Sequence, residues 1–200
     1  MTWVDLLRRV PLDLGQREVA ETTMGKQIAL SLVPDGAGRT ALDLGAREGV
    51  QTRWLRSRGY RVVPMDVAPG FPGCVKADAN RDLPFADDTF DLIWCSELLE
   101  HLEDPAHLIR EIRRVTLPRA DIVLTTPNSY AWLFRAIAVF GLTPERIQRD
   151  EHLHFFDAAA IRQLAPDAQM YGYFPYAGVK RTIRRAVGAL SPTFVVHIQT

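Results

Sequence analysis

The apolar residues of the chain follow two alternating patterns that together predict a sheet with helices between its strands. Short apolar runs are typical of strands buried on both faces of a parallel sheet, and apolar residues spaced three or four apart are typical of half-buried helices. Between residues 40 and 127 the runs predict five strands, at 41–44, 60–63, 74–77, 90–95 and 121–125. Two further runs predict strands at 170–177 and 193–199.

The segments around these strands carry helix signals. A helix is predicted at about 50–58, and Gly59 supplies its C-terminal stop. Asp104, followed by Pro105, predicts the capped start of a second helix, and Asp157 predicts the start of a third over 157–164. Helices are also predicted within 1–39, over 129–141 and in the basic segment that contains Lys180, Arg181, Arg184 and Arg185.

Strands that alternate with helices predict an α/β fold, a doubly wound and mostly parallel sheet of seven strands with a helical N-terminal cap. The length of 200 residues fits one domain, with the cap at 1–39, a ligand-binding core at 40–127 and a less regular region at 128–200. The cap either packs on the sheet or closes over a ligand. Pro64 interrupts the second strand, and because proline lacks an N–H we expect it near a strand end or at an edge.

Glycine and polar residues follow the predicted strands at positions where a ligand would meet them. Gly45 and Gly49 flank the turn after the first strand, where their backbone freedom lets the main chain approach a ligand at the head of a helix. Asp66 comes about 20 positions later, a spacing at which an acidic residue accepts hydrogen bonds from ribose hydroxyls. Asp78 and the stretch 96–101 follow the next strands. We expect these groups to meet at one edge of the sheet, since such sheets bind ligands beyond the carboxyl ends of their strands.

Charge and composition narrow the classes of function. Lys plus Arg number 24 and Asp plus Glu also number 24, so no net charge favours a nucleic-acid or anionic-membrane partner. Cys74 and Cys95 lack metal-ligand spacing and are predicted to be buried thiols in a reducing compartment. The first residues lack the pattern of a signal peptide, and the apolar stretch 131–142 is too short to cross a bilayer. We expect a soluble cytoplasmic protein with no membrane span. Whether the chain forms a homodimer is left open.

Four stretches of the sequence together resemble a known family. They are LDLGAREG from Leu42, the acidic Asp66, ADANRDLPF from Ala77, and FDLIWCSELLEHLEDPAHLIREIRRV from Phe90. As a set they resemble the class I S-adenosylmethionine-dependent methyltransferases, especially the small bacterial branch that acts on metabolites (methyltransferase types 11 and 23). The match covers about residues 40–127. TTPN at 125–128 and HLHFFD at 152–157 are also similar to methyltransferases found among glycan and secondary-metabolite genes.

The resemblance implies S-adenosylmethionine as cofactor and a role for each matched residue of the first two strands. The main chain at Gly45 and Ala46 would lie against the methionine part of the cofactor. Asp43 would steady that turn or bind the cofactor's amino group. Asp66, with Val67 beside it, would hold the ribose hydroxyls.

The same resemblance assigns residues to the adenine side and to the methyl group. Asp78 would bind the adenine amino group and the amide of Ala79 an adenine ring nitrogen, while Ser96 would line the methionine end. These roles suit the groups, because carboxylates accept hydrogen bonds from hydroxyl and amino donors and amides donate to lone pairs. Residues 40–127 would then be the cofactor-binding core, and 128–200 the acceptor region with the C-terminal strands.

Arg47 departs from the family pattern, which usually has a third glycine between Gly45 and Gly49. Its side chain would clash with the cofactor, point outward, or pair with the cofactor's carboxylate, which a guanidinium binds well. A dinucleotide-binding turn would need glycines at 47 and 50, where the chain has Arg47 and Val50. Hydride transfer is therefore a weak alternative.

Histidines are the candidate general bases, which methyl transfer needs only if the acceptor must lose a proton. His101 lies just beyond the fourth strand, where it would take that proton or tie a loop, and His152 lies in the variable connection. His152 and His154 form an H-x-H pair, but a metal needs three or four converging ligands, so no metal is predicted. His107 and His197 are predicted to be structural.

The sequence therefore predicts transfer of a methyl group from S-adenosylmethionine to an oxygen or nitrogen of a small molecule, for example a sugar or a secondary metabolite. The expected partner is this small-molecule acceptor, with no nucleic acid. The alternative is a catalytically silent protein that kept the fold for binding, and Arg47 is the feature that supports it.

Overall fold

The structure is a computed structural model that describes residues 23–132, 151–174 and 181–200. The predicted helical segment before residue 23, residues 133–141 of the predicted apolar helix, and Lys180 lie outside these ranges. The described part contains five α-helices: α1 (Met24–Leu32), α2 (Val50–Ser57), α3 (Pro105–Val115), α4 (Ala158–Leu164) and α5 (Val187–Leu190). A single 3-10 turn spans Leu99–His101.

Eight strands lie in the same ranges: β1 (Thr40–Leu44), β2 (Arg61–Asp66), β3 (Val75–Lys76), β4 (Phe90–Ser96), β5 (Thr116–Pro127), β6 (Gln169–Phe174), β7 (Arg181–Ile183) and β8 (Thr193–Gln199). They form one sheet in the order β3-β2-β1-β4-β5-β8-β6-β7. The first five strands of this order are parallel, β8 is antiparallel to both its neighbours, and β7 is antiparallel to β6. The predicted α/β fold with a mostly parallel sheet is confirmed, and chain order reverses between β1 and β4.

The eighth strand corrects one prediction. The basic segment was expected to be helical, but Arg181–Ile183 pairs with β6, with Ile183 opposite Gly172 and Arg181 opposite Phe174. Two of its three residues, Thr182 and Ile183, are β-branched and suit a strand. Pairing with β6 also satisfies backbone groups along a strand that would otherwise be the edge of the sheet. The short α5 begins only at Val187.

Pro64 lies where the sheet needs no N–H from it. The carbonyl of Met65 accepts a hydrogen bond from the amide of Gly45, so Met65 faces β1. Successive residues of a strand direct their backbone N–H and C=O groups alternately to the two neighbouring strands, so the backbone nitrogen of Pro64 is directed towards β3. β3 pairs with β2 only at Met65 and Asp66, one step later. Pro64 therefore stands at a local edge, as expected from the missing donor.

Helices cover both faces of the sheet. On one face, α1 and α2 bury Ile28 and Leu55 beside the fully buried Trp94 of β4. On the other face, α3 and α4 bury Ile112 and Ile161 in a second cluster. The sheet is thus doubly wound, and α1 confirms the last part of the predicted cap. None of the described helices is long and apolar enough to cross a membrane.

Local signals set the helix ends as predicted. Oδ1 of Asp104 accepts hydrogen bonds from the amides of Ala106 and His107, each at 3.0 Å, and so caps α3. Oδ1 of Asp157 accepts from the amide of Ala160 at 2.7 Å and caps α4. After α2, Gly59 has a φ of 86°, which suits its predicted role as the stop.

The cysteines are both free thiols. Cys95 is buried in β4 as predicted, and burial raises the pKa of its thiol. Cys74 was also expected to be buried but is only half-buried, because it precedes the two-residue strand β3 at the edge of the sheet.

Candidate functional site

A cavity of about 510 Å³ opens at the carboxyl ends of β1, β2 and β4, beside the point where strand order reverses. Its walls come from four segments: the turn after β1 with the start of α2, the loop after β2, the loop after β4, and α1. The first three segments follow parallel strands, so the fold delivers their polar groups to one edge. The residues around it include Lys26, Asp43, Gly45, Arg47, Asp66, Trp94, Ser96, Glu97, Leu98 and His101.

The turn after β1 depends on left-handed backbone conformations. Gly45, Arg47 and Gly49 have φ values of 75°, 47° and 75°. Amides of Gly45 and Ala46 both donate to the carbonyl of Met65, at 2.9 and 3.1 Å, which fixes the turn against β2. A left-handed backbone conformation strains any residue that has a side chain, which explains why a glycine suits position 47. This chain has Arg47 in that conformation, and its side chain is exposed at the cavity wall.

Asp66 is held at the end of β2 by two backbone amides. Its Oδ2 accepts from the amide of Arg47 at 3.0 Å and its Oδ1 from the amide of Ala68 at 2.8 Å. Each carboxylate oxygen has a further lone pair for a ligand. The loop after Asp66 folds back on the turn, since the amide of Gly70 donates to the carbonyl of Arg47 at 3.1 Å. Asp66 is thus a fixed pair of acceptors in the cavity wall.

Asp43 lies deeper in the same wall, only 1% exposed, and the hydroxyl of Thr52 in α2 donates to its Oδ2. Burial raises the pKa of Asp43 to about 6, and the hydrogen bonds from Thr52 offset part of that rise. The side chain therefore joins β1 to α2 and carries its charge only near neutral pH and above.

The loop after β4 contributes a short hydrogen-bond chain. The hydroxyl of Thr125 in β5 donates to Oε1 of Glu97 at 2.9 Å. Because that uses its only hydrogen, the contact of 2.8 Å between Ser96 and Thr125 requires Ser96 to be the donor. Glu97 itself has a φ of 55°, so the backbone turns sharply where it meets the cavity.

Glu100 repeats this arrangement one turn further on, in a buried position. Its side chain is 1% exposed, and the hydroxyl of Thr126 donates to its Oε2 at 2.9 Å. Among the residues described, no donor reaches its Oε1, which is also buried. Burial, together with the nearby negative charge of Glu97, raises the pKa of the Glu100 carboxyl well above its usual range.

The histidines after β4 and before α4 come together only in part. Rings of His101 and His152 lie 4.9 Å apart in a T-shaped contact, and His101 also lines the cavity. Nδ1 of His101 is 3.0 Å from the carbonyl of Glu151. His154 turns away, stacks on Phe156 and contacts the carbonyl of Glu103 through its Nε2 at 3.3 Å.

The structure brings most of the predicted cofactor residues to one cavity. Of the residues predicted to bind the cofactor or to act as bases, those that line the cavity are Asp43, Gly45, Ala46, Arg47, Asp66, Val67, Ser96 and His101. Those outside its lining are Gly49, Asp78, Ala79 and His152. Gly49 caps α2 behind the turn, Oδ1 of Asp78 accepts from the amide and the side chain of Asn80, and Ala79 is buried in the core.

Sequence reasoning missed several residues of the cavity. Lys26 comes from α1, so the cap contributes to the site as well as packing on the sheet. Its signal was a lone cation between apolar positions of a helix, which is common on solvated faces. Glu97 and Leu98 belong to the stretch 96–101 that was expected at this edge of the sheet, although neither was assigned a role of its own.

Comparisons with known proteins agree with this architecture. A sequence model of the family described as "Methyltransferase domain" matches residues 16–171. Malonyl-[acyl-carrier protein] O-methyltransferase of Halorhodospira halophila is 34% identical over 126 residues, 56% of this chain and 41% of that protein. Ubiquinone biosynthesis O-methyltransferase of Hahella chejuensis is 34% identical over 105 residues, 46% of this chain and 44% of that protein. The chain spans less than half the length of these two relatives.

A solved structure shows the same fold across nearly the whole domain. The S-adenosylmethionine dependent methyltransferase from Mesorhizobium loti aligns with a TM-score of 0.64 at 16% identity, covering 88% of this chain and 97% of that one. At this identity the likeness concerns the fold alone. The family model, in contrast, matches well over half of the 200 residues and includes the turn and strands that form the cavity. The chain therefore belongs to the methyltransferase domain family, among the class I S-adenosylmethionine-dependent methyltransferases.

Proposed function

We propose that the chain transfers a methyl group from S-adenosylmethionine to an oxygen or nitrogen of a small molecule. The observation that carries this proposal is the cavity itself. It places the carboxylate of Asp66, the left-handed turn at Gly45 and the ring of His101 around one space at the carboxyl edge of the sheet. A methyl donor needs the polar anchor and the close backbone approach, and an acceptor that must lose a proton also needs the proton acceptor.

The cavity residues fit an adenosyl cofactor. Asp66 offers lone pairs on two fixed oxygens for ribose hydroxyls. Lys26 and Arg47 supply positive charge for the carboxylate of the methionine part. Amide hydrogens of Gly45 and Ala46 are already taken by Met65, so the turn would contribute close approach of the backbone rather than donors.

The cofactor, when bound, supplies a methyl group on a positively charged sulfur that leaves as a neutral thioether. The chain's own residues then have three tasks: to orient the acceptor, to exclude water and to accept a proton where one must leave. Trp94 and Leu98 give the wall beside Ser96 an apolar part. Orientation in such a space supplies most of the rate in a transfer that needs little covalent help from the protein.

His101 is proposed as the proton acceptor. A carbonyl can only accept, so its contact with the carbonyl of Glu151 places the proton of a neutral imidazole on Nδ1. Nε2 then carries a free lone pair, which is the form a general base needs near neutral pH. His152 contacts the His101 ring edge-on and would position it rather than meet the acceptor.

An oxygen acceptor is favoured over nitrogen. Both curated relatives described above are named as O-methyltransferases. A hydroxyl acceptor would also use the free lone pair of His101, since a hydroxyl must lose its proton during transfer. A sugar or a secondary metabolite stays a proposal that rests on the sequence alone.

Binding of S-adenosylhomocysteine, the demethylated product, tests the proposal directly by isothermal titration, with NAD as parallel control. We expect one-to-one binding in the micromolar range, about −8 kcal/mol, and no binding of NAD. Asp66→Asn should weaken binding by about tenfold or more, since it removes a charged acceptor, whereas the exposed control Asp82→Asn should not.

Arg47→Gly separates the enzyme from the silent-scaffold alternative. The exposed side chain and engaged backbone of Arg47 predict that wild type already binds and that this variant stays within about tenfold of it. A folded wild type that binds nothing, with binding restored by Arg47→Gly, would mean that the turn is blocked and that the scaffold alternative is right. Preference for NAD would instead make the chain a dinucleotide-binding protein.

A further inference from the structure

We infer that Glu100, His101 and His152 form a binding site for a divalent transition-metal cation such as Zn²⁺ at the edge of the methyl-transfer cavity. Candidate ligand atoms of these three side chains all lie within 4.8 Å of one another. Two imidazoles and one carboxylate are a donor set that suits zinc and its neighbours in the first transition row better than Mg²⁺ or Ca²⁺.

Glu100 supplies the observation that points to a ligand. The residue is only 1% exposed, and its Oε2 accepts a hydrogen bond from the hydroxyl of Thr126. Within residues 23–132, 151–174 and 181–200, its Oε1 has no hydrogen-bond partner although this oxygen is buried. Leaving a buried carboxyl oxygen without a hydrogen-bond partner is costly, so it requires an explanation. A cation between Oε1 and the two imidazoles provides one.

The hydrogen bonds of His101 prepare it for the same role. Its Nδ1 lies 3.0 Å from the carbonyl of Glu151 and must donate to it. Nε2 of the neutral ring is then free of a proton. Metal-binding histidines usually donate their other N–H to a carbonyl or carboxylate, which fixes ring orientation and tautomer. The contact with Glu151 is an arrangement of this kind.

The backbone holds His152 beside the other two side chains. The carbonyl of Glu100 accepts from the amides of Leu153 and His154, at 2.8 and 3.1 Å. These two bonds join the segment before α4 to the turn after β4, far apart in sequence, and bring the ring of His152 to 4.9 Å from that of His101. His154 points elsewhere, which explains why the H-x-H pair alone did not predict a site.

The geometry requires only a small closure. Tetrahedral zinc with ligand bonds of about 2.0–2.2 Å sets its ligand atoms roughly 3.3 Å apart. Contraction by about 1.5 Å or less, within reach of rotations of the two half-exposed imidazoles, would complete the site. Three protein ligands leave a fourth position open, as in catalytic zinc sites.

The open position would face the cavity, because His101 belongs to both the cluster and the cavity wall. If the proposed function is right, a cation there would polarise an acceptor oxygen. The lone pair on Nε2 of His101 can bind either a proton or a cation, so with a cation bound His101 would act as a metal ligand and not as a general base. The metal site itself does not depend on the proposed function.

Zinc binding by the full-length, chelator-dialysed protein tests the inference, with a chromophoric chelator as competitor. We expect one Zn²⁺ per chain with micromolar or tighter affinity and much weaker binding of Mg²⁺. His101→Gln and His152→Gln should each weaken Zn²⁺ binding by about tenfold or more. His154→Gln is the matched control and should bind as wild type does.

Two results would overturn the inference. One is a folded wild type without saturable Zn²⁺ binding, and the other is wild-type affinity in both His101→Gln and His152→Gln. Because Glu100 is buried, Glu100→Gln is informative only if circular dichroism shows a folded protein, and the two histidine variants serve where it does not. Since S-adenosylhomocysteine binding is measured separately, failure of the metal site and failure of the proposed function are distinguishable.

Discussion

Thr126 and Glu100 form a buried hydrogen bond of 2.9 Å that ties the end of β5 to the turn after β4. The preceding threonine, Thr125, does the same for Glu97 at 2.9 Å. Two adjacent hydroxyls from one strand thus hold two carboxylates of the neighbouring loop. The side chain of Thr126 has no exposed surface, and that of Glu100 almost none, so this bond has no water to replace it.

Thr126→Val should destabilise the protein by about 1–3 kcal/mol, because an isosteric methyl group leaves a second oxygen of the buried Glu100 carboxyl without a donor. Urea unfolding in the presence of EDTA measures this without any contribution from bound metal. Thr126→Ser keeps the hydroxyl and should lower the stability much less than Thr126→Val does. Equal stability of Thr126→Val and wild type would show that the bond contributes nothing net.

Gly49→Ala should destabilise the protein by more than the left-handed backbone conformation at this position accounts for. Gly49 has a φ of 75°, and a Cβ placed there would come within 2.7 Å of the ring of Phe71. Gly73 is a matched control, since its φ is 82° and a Cβ there would meet no atom within 4 Å. Both variants carry the conformational cost of about 1–2 kcal/mol. Only Gly49→Ala must also displace the ring of Phe71, which should lower the free energy of unfolding by about 1–3 kcal/mol more.

A double-variant cycle isolates the contact with Phe71. In a Phe71→Ala background, the cost of Gly49→Ala in urea unfolding should fall to that of Gly73→Ala. If Gly49→Ala costs the same with and without the ring, the conformation of the turn alone explains this glycine. The same variants titrated with S-adenosylhomocysteine would show how far the turn's shape controls cofactor affinity.

The parts of the fold that sequence predicted depend on local signals. Asp104 and Pro105 begin α3 through hydrogen bonds within one helical turn, and Gly59 ends α2 through its own backbone conformation. β7 was missed for the opposite reason. Whether Arg181–Ile183 forms a strand depends on the free side of β6, and nothing near residue 181 in the sequence shows that this side is available.

The candidate site divides in the same way. Asp66 and Ser96 were predictable because parallel strands deliver their carboxyl ends to one edge of the sheet. The approach of His152 to Glu100 was not, since it depends on backbone bonds from Leu153 and His154 to a carbonyl in a distant turn. Lys26 reaches the cavity only because α1 packs across the sheet. Contacts between distant segments leave no spacing in the sequence.

Asp43 should make stability fall as pH rises from about 4 to about 6. Burial raises the pKa of Asp43 to about 6, above the ordinary value of 3.8. Between these values the folded chain holds a proton that the unfolded chain has lost, so raising the pH favours unfolding, by on the order of 3 kcal/mol across the window. Asp43→Asn keeps an acceptor for Thr52 but cannot ionise. Urea unfolding from pH 4 to 7 should therefore show the gap between wild type and variant changing over this window, which Asp82→Asn should not reproduce.

Glu111 should have the opposite effect, at more acidic pH. In α3, Glu111 accepts hydrogen bonds from Arg114 and from the amide of Leu83, and Arg114 also holds the carbonyls of Leu83 and Phe85. These bonds, those from Arg114 first, lower the pKa of Glu111 from 4.5 to about 2. Its contribution is therefore complete above pH 4.5 and lost as pH falls towards and below 2, roughly 3 kcal/mol in all. Glu111→Gln should be less stable at pH 7 and should lose less on acidification, as followed by urea unfolding between pH 7 and 2. The exposed Glu103→Gln is the control. If Glu111→Gln lost as much stability on acidification as wild type does, carboxylates other than Glu111 would be responsible for that loss.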